Sequence, residues 1–347
     1  MITDAKQITP EWLTTRLRAN GRLPTGEASS VTLGEPFEST GANWTPVAVE
    51  YDGADEDAPQ SLMFKLLHKE RYDGGYNEVV LYTDFAAQMP DPPVGALYDF
   101  AHDEDTRALY LLLQDISKTH KLASEGIGPD DYVAATRSLL EFHTYWWQHD
   151  RLREARFEAS RWDPMRMANA CSEENVRANA LNFREKELPK YLAERADLPD
   201  GGLAILERAL DRWADVFCER IADGEALTLI HGDSHVMNML FPRDQATQRV
   251  LLVDFETYRR GLGAYDLAYM MFFRDAEHRR ELEAVVLPAY YDGLVAAGVT
   301  SYSHEQLERD YRLSVIACLF PPLSWDHGGA RQALAAFDDW DCADLLA

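Results

Sequence analysis

Apolar positions follow two different rhythms along the chain, and the change between them lies near residue 116. Before that point, short apolar runs bounded by turn residues predict strands, and one helical pattern is inserted among them. The predicted strands cover residues 31–37, 47–51, 62–67, a stretch around residue 97, and 109–113. The inserted helix spans residues 76–89, where apolar positions recur every three or four residues until Pro90 ends the pattern.

After residue 116 the apolar spacing is mostly helical. The predicted helices cover residues 129–149, 181–193, 203–221, 266–297 and 303–320, and one strand-rich island lies at 227–254. Capping signals support two of the helices in the chain. Thr9 followed by Pro10 predicts the start of the first helix, and Ser303 with Gln306 forms a capping box before the last. The sequence therefore predicts an α+β protein with a small antiparallel-sheet lobe followed by a larger, mainly helical lobe.

Composition narrows the class of protein. The 347 residues exceed the length at which one hydrophobic core usually keeps growing, which agrees with two lobes. The net charge of −25 argues against nucleic acid and anionic membranes as partners. The sequence shows no membrane-length apolar run, no targeting segment and no metal or disulfide spacing among its four cysteines. We therefore expect a cytoplasmic protein with reduced thiols.

The strand-rich island carries the candidate chemistry. Asp233 lies in the segment His-Gly-Asp-Ser-His-Val-Met-Asn, Asn238 follows it by five residues, and Asp254 comes at the end of the next apolar strand. Carboxylates at a half-buried strand end are costly unless a cation or proton donor meets them. An aspartate and an asparagine that offer oxygen ligands suit Mg²⁺, which usually keeps several waters and binds substrate phosphates. These residues therefore indicate a candidate Mg²⁺ site, and their spacing resembles that of the catalytic loop of kinases.

The same segments resemble a known group of enzymes. The His-Gly-Asp-x-His-x-x-Asn loop at 231–238, the Asp-Phe-Glu at 254–256 and the Asp-Leu-Ala at 266–268 are similar to those of the aminoglycoside phosphotransferase and choline/ecdysteroid kinase-like family. The resemblance extends over nearly the whole chain and implies a two-lobed protein-kinase-like fold. It implies a nucleotide-binding lobe at 1–116 and a catalytic, substrate-binding lobe at 117–347.

By this resemblance, Asp233 is the catalytic base, and Asn238 and Asp254 are the Mg²⁺ ligands. His231 and Asp266 are expected to support the catalytic loop. In the first lobe, Lys65 is expected to meet the nucleotide phosphates and to pair with Glu78, with Glu70 as a rival partner. Other expected nucleotide contacts are Ser39 and Gly41 in a phosphate-covering turn at 39–43, and Gln114 and Ile116 in the adenine-binding hinge. Arg259 and Arg260 lie between the second and third motifs, where an anionic substrate group or a surface salt bridge are equal alternatives.

The resemblance implies a phosphotransferase with an alcohol group as acceptor. Its co-substrate is ATP or GTP with Mg²⁺, and its acceptor is a hydroxylated metabolite or antibiotic, for which an amine-bearing molecule suits the acidic composition. His235, Trp325 and Asp326 are candidate acceptor contacts, although a backbone hydrogen bond is the favoured role of His235. An acidic, aromatic run at 338–341 is a further candidate wall for a cation, and a solvated C-terminal surface is an equal alternative. A solvated acidic surface is also the favoured explanation of the net charge as a whole. A degenerate, regulatory nucleotide-binding kinase and a metal-dependent hydrolase that uses His231, Asp233 and His235 remain alternatives. The sequence does not distinguish among acceptors, between ATP and GTP, or among oligomeric states.

Overall fold

The structure is a computed structural model that describes residues 1–154, 172–194, 198–246, 248–325 and 329–347. Internal contacts divide the chain into two units. The first contains residues 1–121 and the short segment 242–248, and the second contains 122–241 and 249–347. The assignment of nucleotide binding to residues 1–116 and of catalysis to 117–347 stays a prediction.

The first unit is built on an antiparallel sheet. Its strands run in the order β1-β3-β4-β6-β5, with β2 paired to β3. In chain order these strands are β1 (Glu27–Leu33), β2 (Phe37–Glu38), β3 (Ala42–Asp52), β4 (Ser61–Leu67), β5 (Leu97–Asp103) and β6 (Ala108–Gln114), and the short β7 (His120–Leu122) comes after them. The first strand was predicted four residues too late, at residue 31 rather than at Glu27, and residues 42–46 of β3 were missed. Ala42 and Asn43 of the expected phosphate-covering turn at 39–43 belong to β3.

Two helices pack with this sheet. The first, α1 (Pro10–Ala19), begins where the sequence predicted, because the Thr9 hydroxyl accepts a hydrogen bond from the backbone N–H of Trp12 at 3.2 Å. The second, α2 (Tyr72–Val80), begins before the predicted residue 76 and continues through a π-turn and a 3₁₀-turn to Gln88. Its early start contains Gly75, where a Cβ would lie 2.8 Å from the Leu67 side chain. Close packing of α2 against β4 therefore requires a glycine at this position.

The second unit is mainly helical. Its helices are α3 (Pro129–Trp146), α4 (Glu173–Asn182), α5 (Leu188–Glu194), α6 (Gly202–Ile221), α7 (Gly263–Met271), α8 (Ala276–Ala296), α9 (His304–Ala317), α10 (Pro321–Trp325) and α11 (Gly329–Asp339). The capping box of Ser303 and Gln306 is present at the start of α9, as predicted. The single helix predicted over 266–297 is wrong, since Asp275 caps a new helix by accepting from His278 N at 3.0 Å.

Short strands inside the second unit position the candidate chemistry. They are β8 (Leu227–Ile230), β9 (Met239–Pro242), β10 (Leu251–Leu252) and β11 (Arg259–Leu262). Strand β8 pairs with β11 and β9 pairs with β10, both antiparallel. Every residue of α7 is buried, and this helix follows β11 directly. The loop between β8 and β9 is therefore held among buried elements.

Two general features complete the description. Within the part of the chain that the structure describes, none of the helices combines the length and the hydrophobicity needed to cross a membrane. Cys218, Cys318 and Cys342 are free thiols, and Cys318 and Cys342 are buried. Burial is the main reason that the pKa of the Cys342 thiol rises to about 12, so this group stays protonated at neutral pH.

Candidate active site

The loop between β8 and β9 makes its first turn at Gly232. This residue has φ +83°, a left-handed conformation that favours glycine, and a Cβ would lie 2.5 Å from the carbonyl oxygen of Thr257. The glycine therefore allows the loop to pass close to the neighbouring chain segment, and it sets the direction in which Asp233 leaves the turn.

The Asp266 carboxylate at the start of α7 supports this turn by accepting hydrogen bonds from its backbone N–H groups. Its Oδ2 accepts from His231 N at 2.7 Å, and its Oδ1 accepts from Gly232 N at 3.0 Å. The hydroxyl of Ser234 donates to the Asp266 carbonyl oxygen at 2.8 Å, and His143 Nε2 lies 3.1 Å from Oδ2. Burial alone would raise the pKa of Asp266, but the hydrogen bond and charge of His143 outweigh it, so the pKa is lowered. An ionised carboxylate thus holds the start of the turn, and the backbone carbonyl of the same residue holds Ser234.

His231 braces the loop from the other side. Its buried ring donates from Nε2 to the Val253 carbonyl oxygen at 2.9 Å, and its Nδ1 accepts from Asp233 N at 3.3 Å. Burial lowers the pKa of His231, which favours the neutral imidazole that this donor and acceptor pattern requires. Both ring nitrogens are therefore occupied within the protein, as suits a supporting residue.

Asp233 and Asn238 are in direct contact across the loop. The amide Nδ2 of Asn238 donates to the Asp233 carbonyl oxygen at 2.9 Å and to its carboxylate Oδ2 at 3.1 Å. The other carboxylate oxygen of Asp233, Oδ1, is buried and has no hydrogen-bond partner among the described residues. One oxygen of the carboxylate is thus held in place, while the other lacks the partner that a buried charged group needs.

Asp254 follows β10 in a left-handed conformation with φ +64°. Aspartate and asparagine adopt this conformation more readily than other residues with a Cβ, yet it is still strained and recurs at functional sites. The preceding Val253 N donates to the Asn238 carbonyl oxygen at 3.0 Å, which links the Asp254 and Asn238 segments. The Asn238 amide nitrogen bonds Asp233, so its amide oxygen points away from that residue. One carboxylate and one amide oxygen form a hard-oxygen donor set that fits Mg²⁺.

The candidate acceptor contacts stay predictions, although the surroundings of some of them are defined. His235 Nε2 approaches Asp233 Oδ2 at 3.6 Å, and its Nδ1 is buried without a hydrogen-bond partner in the described chain, so the favoured backbone bond is not formed. Trp325 ends α10, and Asp326 lies outside the described residues. In the run 338–341, Asp339 pairs with Arg279 and Arg280, and the Trp340 indole donates to Glu283 at 3.0 Å. The side chains of Asp339 and Trp340 therefore already have partners within the protein.

In the first unit, Lys65 and Glu78 form a buried ion pair. Nζ of Lys65 on β4 lies 2.6 Å from Oε2 of Glu78 on α2, and the two side chains are 4% and 2% exposed. Glu78 is therefore the partner that the sequence favoured over Glu70. The Lys65 ammonium also lies 5.1 Å from the centre of the Trp44 ring, close enough for a cation–π contact.

The segment around Ser39 is a tight turn between β2 and β3. The Ser39 hydroxyl accepts from Ala42 N at 3.2 Å and from the Trp44 indole at 3.0 Å, and the Gly41 carbonyl accepts from His68 N at 2.9 Å. The hydroxyl of Ser39 thus helps to close the turn and to orient Trp44. Contact of Ser39 and Gly41 with phosphate stays a prediction.

The expected hinge residues lie at the end of β6. Gln114 N donates to the Ala96 carbonyl oxygen at 2.8 Å, and the Ile116 carbonyl oxygen accepts from Thr119 N and His120 N. These bonds restrict how the two residues can contact an adenine edge. Gln114 can offer its carbonyl oxygen or side chain, but its own N–H is already used. Both assignments stay predictions.

The two arginines between the second and third motifs bond to the protein itself. Arg259 Nη1 donates to the Thr257 carbonyl oxygen at 2.9 Å, and Arg260 Nη1 donates to the Leu152 carbonyl oxygen at 2.8 Å. Neither contact is the surface salt bridge that the sequence offered as an alternative.

No group of three or more histidine, cysteine, aspartate and glutamate side chains is placed to hold a metal ion in the residues that the structure describes. Both ring nitrogens of His231 are already used in hydrogen bonds within the protein, which disfavours this histidine as a ligand in the hydrolase alternative.

Sequence reasoning missed two aromatic residues near the expected chemistry. Trp44 was left between the predicted turn at 39–43 and the strand at 47–51, although it lies in β3 against Lys65. Tyr269 was not singled out, although its buried ring lies 6.3 Å from that of His235. A tyrosine within an apolar helix has the pattern of a core residue, so only its position one turn after Asp266 signalled proximity to the loop.

Comparison with solved structures supports the fold class. A microcompartment-associated aminopropanol kinase is 16% identical, with 91% of each chain covered and a TM-score of 0.51. A Plasmodium vivax ethanolamine kinase is 14% identical over 90% of this chain and 82% of its own, with a TM-score of 0.52. At these identities the likeness shows the fold, and it confirms the predicted α+β, protein-kinase-like class. No curated protein sequence matches the chain.

The family comparison agrees with the motifs. The model of the ecdysteroid kinase-like family matches residues 97–299, more than half of the chain, and this range includes all three motifs. The resemblance that the loop at 231–238 indicated is therefore confirmed. The chain belongs to the ecdysteroid kinase-like family.

Proposed function

We propose that the protein is a small-molecule kinase that transfers the γ-phosphoryl group of ATP or GTP to a hydroxyl of a soluble metabolite or antibiotic. The observation that carries the proposal is the state of Asp233. Its carboxylate is oriented by Asn238 through Oδ2 and retains a buried, unpaired Oδ1, on a turn that a buried carboxylate and a neutral imidazole fix. A rigidly held carboxylate with spare acceptor capacity is suited to orient a hydroxyl and to take its proton.

In the proposed reaction the acceptor oxygen forms a bond to the γ-phosphorus, and the bond from that phosphorus to the leaving diphosphate breaks. The acceptor proton goes to Asp233, and the products are a phosphate ester and a nucleoside diphosphate. Asn238 and Asp254 would hold Mg²⁺, which when bound neutralises charge on the phosphate oxygens. The role of the chain is then to position the hydroxyl and the phosphates, as phosphoryl transfer mainly requires.

Lys65 is the proposed phosphate contact of the first unit. Its ammonium is held by Glu78 and Trp44 rather than by solvent, so a phosphate would meet a cation whose position is already fixed. Fixing the side chain before binding reduces the entropy lost when the nucleotide binds. Ser39, Gly41, Gln114 and Ile116 complete the proposed nucleotide contacts.

The first experiment is calorimetric binding of ATP and GTP, each with Mg²⁺ and with EDTA, to the wild type and two variants. Asp254→Asn tolerates the left-handed backbone as the aspartate does, and therefore isolates the loss of charge. We expect it to weaken Mg²⁺-dependent binding about tenfold or more, on the scale of one charge-assisted contact. Asp233→Asn should bind the nucleotide as the wild type does. Absence of nucleotide binding by the wild type under every condition would refute the proposal.

Transfer itself is tested by a screen of hydroxylated acceptors, with and without amine groups, in which formation of the phosphate ester is followed by phosphorus NMR. Asp233→Asn should lose ester formation while it keeps nucleotide binding. A wild type that binds Mg-nucleotide yet phosphorylates no acceptor would instead support the degenerate, regulatory kinase.

A further inference from the structure

Three buried polar atoms without hydrogen-bond partners in the described chain belong to residues that meet at the loop 231–238. They are Asp233 Oδ1, His235 Nδ1 and the hydroxyl of Tyr269. Tyr269 itself is fully buried, and its ring lies 6.3 Å from that of His235, whose Nε2 approaches the Asp233 carboxylate. Buried polar atoms in native proteins nearly always have hydrogen-bond partners, so each exception calls for an explanation. Here one such atom is a carboxylate oxygen, which accepts hydrogen bonds, and another belongs to a phenol, which can donate one.

The register of α7 explains how Tyr269 reaches the loop. Asp266 and Tyr269 are three residues apart, so they lie on the same face of the helix. On that face the Asp266 carboxylate accepts the loop's backbone N–H groups. One turn later Tyr269 lies beside His235, whose Nε2 is 3.6 Å from Oδ2 of Asp233. After burial, the charge of Asp233 is the strongest influence that raises the pKa of Tyr269. The phenol is therefore protonated and can act as a donor.

We infer that Tyr269 is a positioning residue, whose hydroxyl donates a hydrogen bond to Oδ1 of Asp233. The inference rests on the proposed function of Asp233 as the base. Asn238 holds Oδ2, so a donor to Oδ1 would fix the rotation of the carboxylate about its χ2 angle. Each carboxylate oxygen has two lone pairs, which leaves acceptor capacity for the substrate hydroxyl. Hydrogen bonds of catalytic groups are often long before the substrate binds and shorten afterwards.

A purely structural role for Tyr269 makes a different prediction. Its ring stacks with Tyr265 at 5.5 Å and with Phe272 at 5.7 Å between ring centres, and phenylalanine would make the same contacts. Tyr269→Phe therefore removes only the hydroxyl. If that hydroxyl has no partner, its removal is neutral or stabilising, because it relieves an unsatisfied buried group. If the hydroxyl bonds Asp233, its removal lowers the free energy of unfolding in the protein that has Asp233, and has no such effect in a variant that lacks the Asp233 carboxylate.

A double-mutant cycle on stability tests the contact without any need for activity. The variants are Tyr269→Phe, Asp233→Leu, which has a similar shape and no acceptor, and the double variant, each unfolded in urea. We expect a coupling of about fivefold or more in the unfolding equilibrium constant, as for a hydrogen bond to a charged group. Tyr311→Phe is the matched control, since this buried tyrosine bonds Glu283 at 2.8 Å. It should not couple to Asp233→Leu. A cycle with no coupling for Tyr269 would overturn the inference.

The positioning role is tested by steady-state kinetics with an acceptor from the screen. Tyr269→Phe should lower kcat about tenfold or more and leave the nucleotide KM within about twofold, because the lost bond acts on the base. Tyr311→Phe should leave kcat unchanged. Coupling in the cycle combined with an unchanged kcat would overturn the positioning role. A wild type that transfers to no acceptor would refute the proposed function, and the cycle would still decide whether the contact exists.

Discussion

Replacement of Lys65 by methionine removes the cation of a buried ion pair while it keeps most of the side-chain volume. Glu78 would then remain 2% exposed without the ammonium that lies 2.6 Å away in the wild type. When one partner of a buried pair is removed, the loss of stability is about 3–5 kcal/mol, because the other charge stays desolvated. The cation–π contact with Trp44 at 5.1 Å adds about 0.5–2 kcal/mol. We therefore expect Lys65→Met to lower the free energy of unfolding by about 4 kcal/mol.

The second substitution separates folding from nucleotide binding. Glu78→Leu in the Lys65→Met background removes the stranded carboxylate, and buried pairs replaced by apolar residues of similar volume are often neutral or stabilising. The double variant should therefore recover stability to within about 1 kcal/mol of the wild type. It should still bind Mg-nucleotide at least about tenfold more weakly, because no cation is left to meet the phosphates.

The assay pairs urea unfolding with calorimetric titration of Mg-nucleotide. Lys69→Met is the matched control, since this lysine is exposed and lies four residues further along the same unit. It should change stability by less than about 0.5 kcal/mol. A double variant no more stable than Lys65→Met would refute the argument that desolvation of Glu78 dominates. Full nucleotide affinity in the double variant would refute the proposed role of Lys65.

Two further changes test the support of the catalytic loop. Asp266→Asn presents an amide to the two backbone N–H groups that the carboxylate accepts, and should lower stability at pH 7 by about 1–3 kcal/mol in thermal unfolding. Because the pKa of Asp266 is lowered on folding, its contribution is present above the unfolded pKa of about 3.9 and is lost as pH falls below it. The variant's stability should therefore depend less on acid, and an identical pH profile would contradict this. Gly232→Ala should unfold the loop or prevent soluble expression, because its φ is +83° and its Cβ would meet Thr257, whereas Gly224→Ala, with φ +71° and open space, should cost about 1 kcal/mol. Equal thermal midpoints for the two alanine variants would show that the contact with Thr257 is unimportant.

The parts of the fold that the sequence predicted are those with strong local signals. Thr9 and Ser303 cap their helices as expected, because a cap hydrogen bond is decided within four residues. The start of α2 was missed because Gly75 has low helix propensity, and only the distant Leu67 side chain explains its presence. The split between α7 and α8 was missed although Asp275 provides an ordinary cap, because the apolar spacing continues across it.

The sequence indicated candidate site residues but not most of their contacts. The spacing of Asp233, Asn238 and Asp254 indicated these side chains as candidates, and the structure brings Asp233 and Asn238 into contact. The spacing did not indicate that Asp254 adopts a left-handed conformation, or that Tyr269 lies beside His235, whose ring approaches Asp233. The Asp254 conformation and the position of Tyr269 both depend on packing between segments that are distant in the sequence, and a local sequence pattern contains no information about such packing.

Lys65 and Asp233 would be conserved in evolution for different reasons, the first for stability and the second for activity. The loss of Lys65 alone removes the cation 2.6 Å from the buried Glu78 carboxylate, so a descendant without the proposed activity would still be selected to keep the lysine in order to fold. The Asp233 carboxylate accepts from the neutral Asn238 amide, so a neutral residue at this position would cost less stability than the loss of Lys65, and mainly selection for the proposed activity would retain the aspartate. In a lineage released from catalysis, Asp233 should therefore disappear before Lys65. Among related sequences, the aspartate is the better marker of a working enzyme, and the lysine is a marker of the fold.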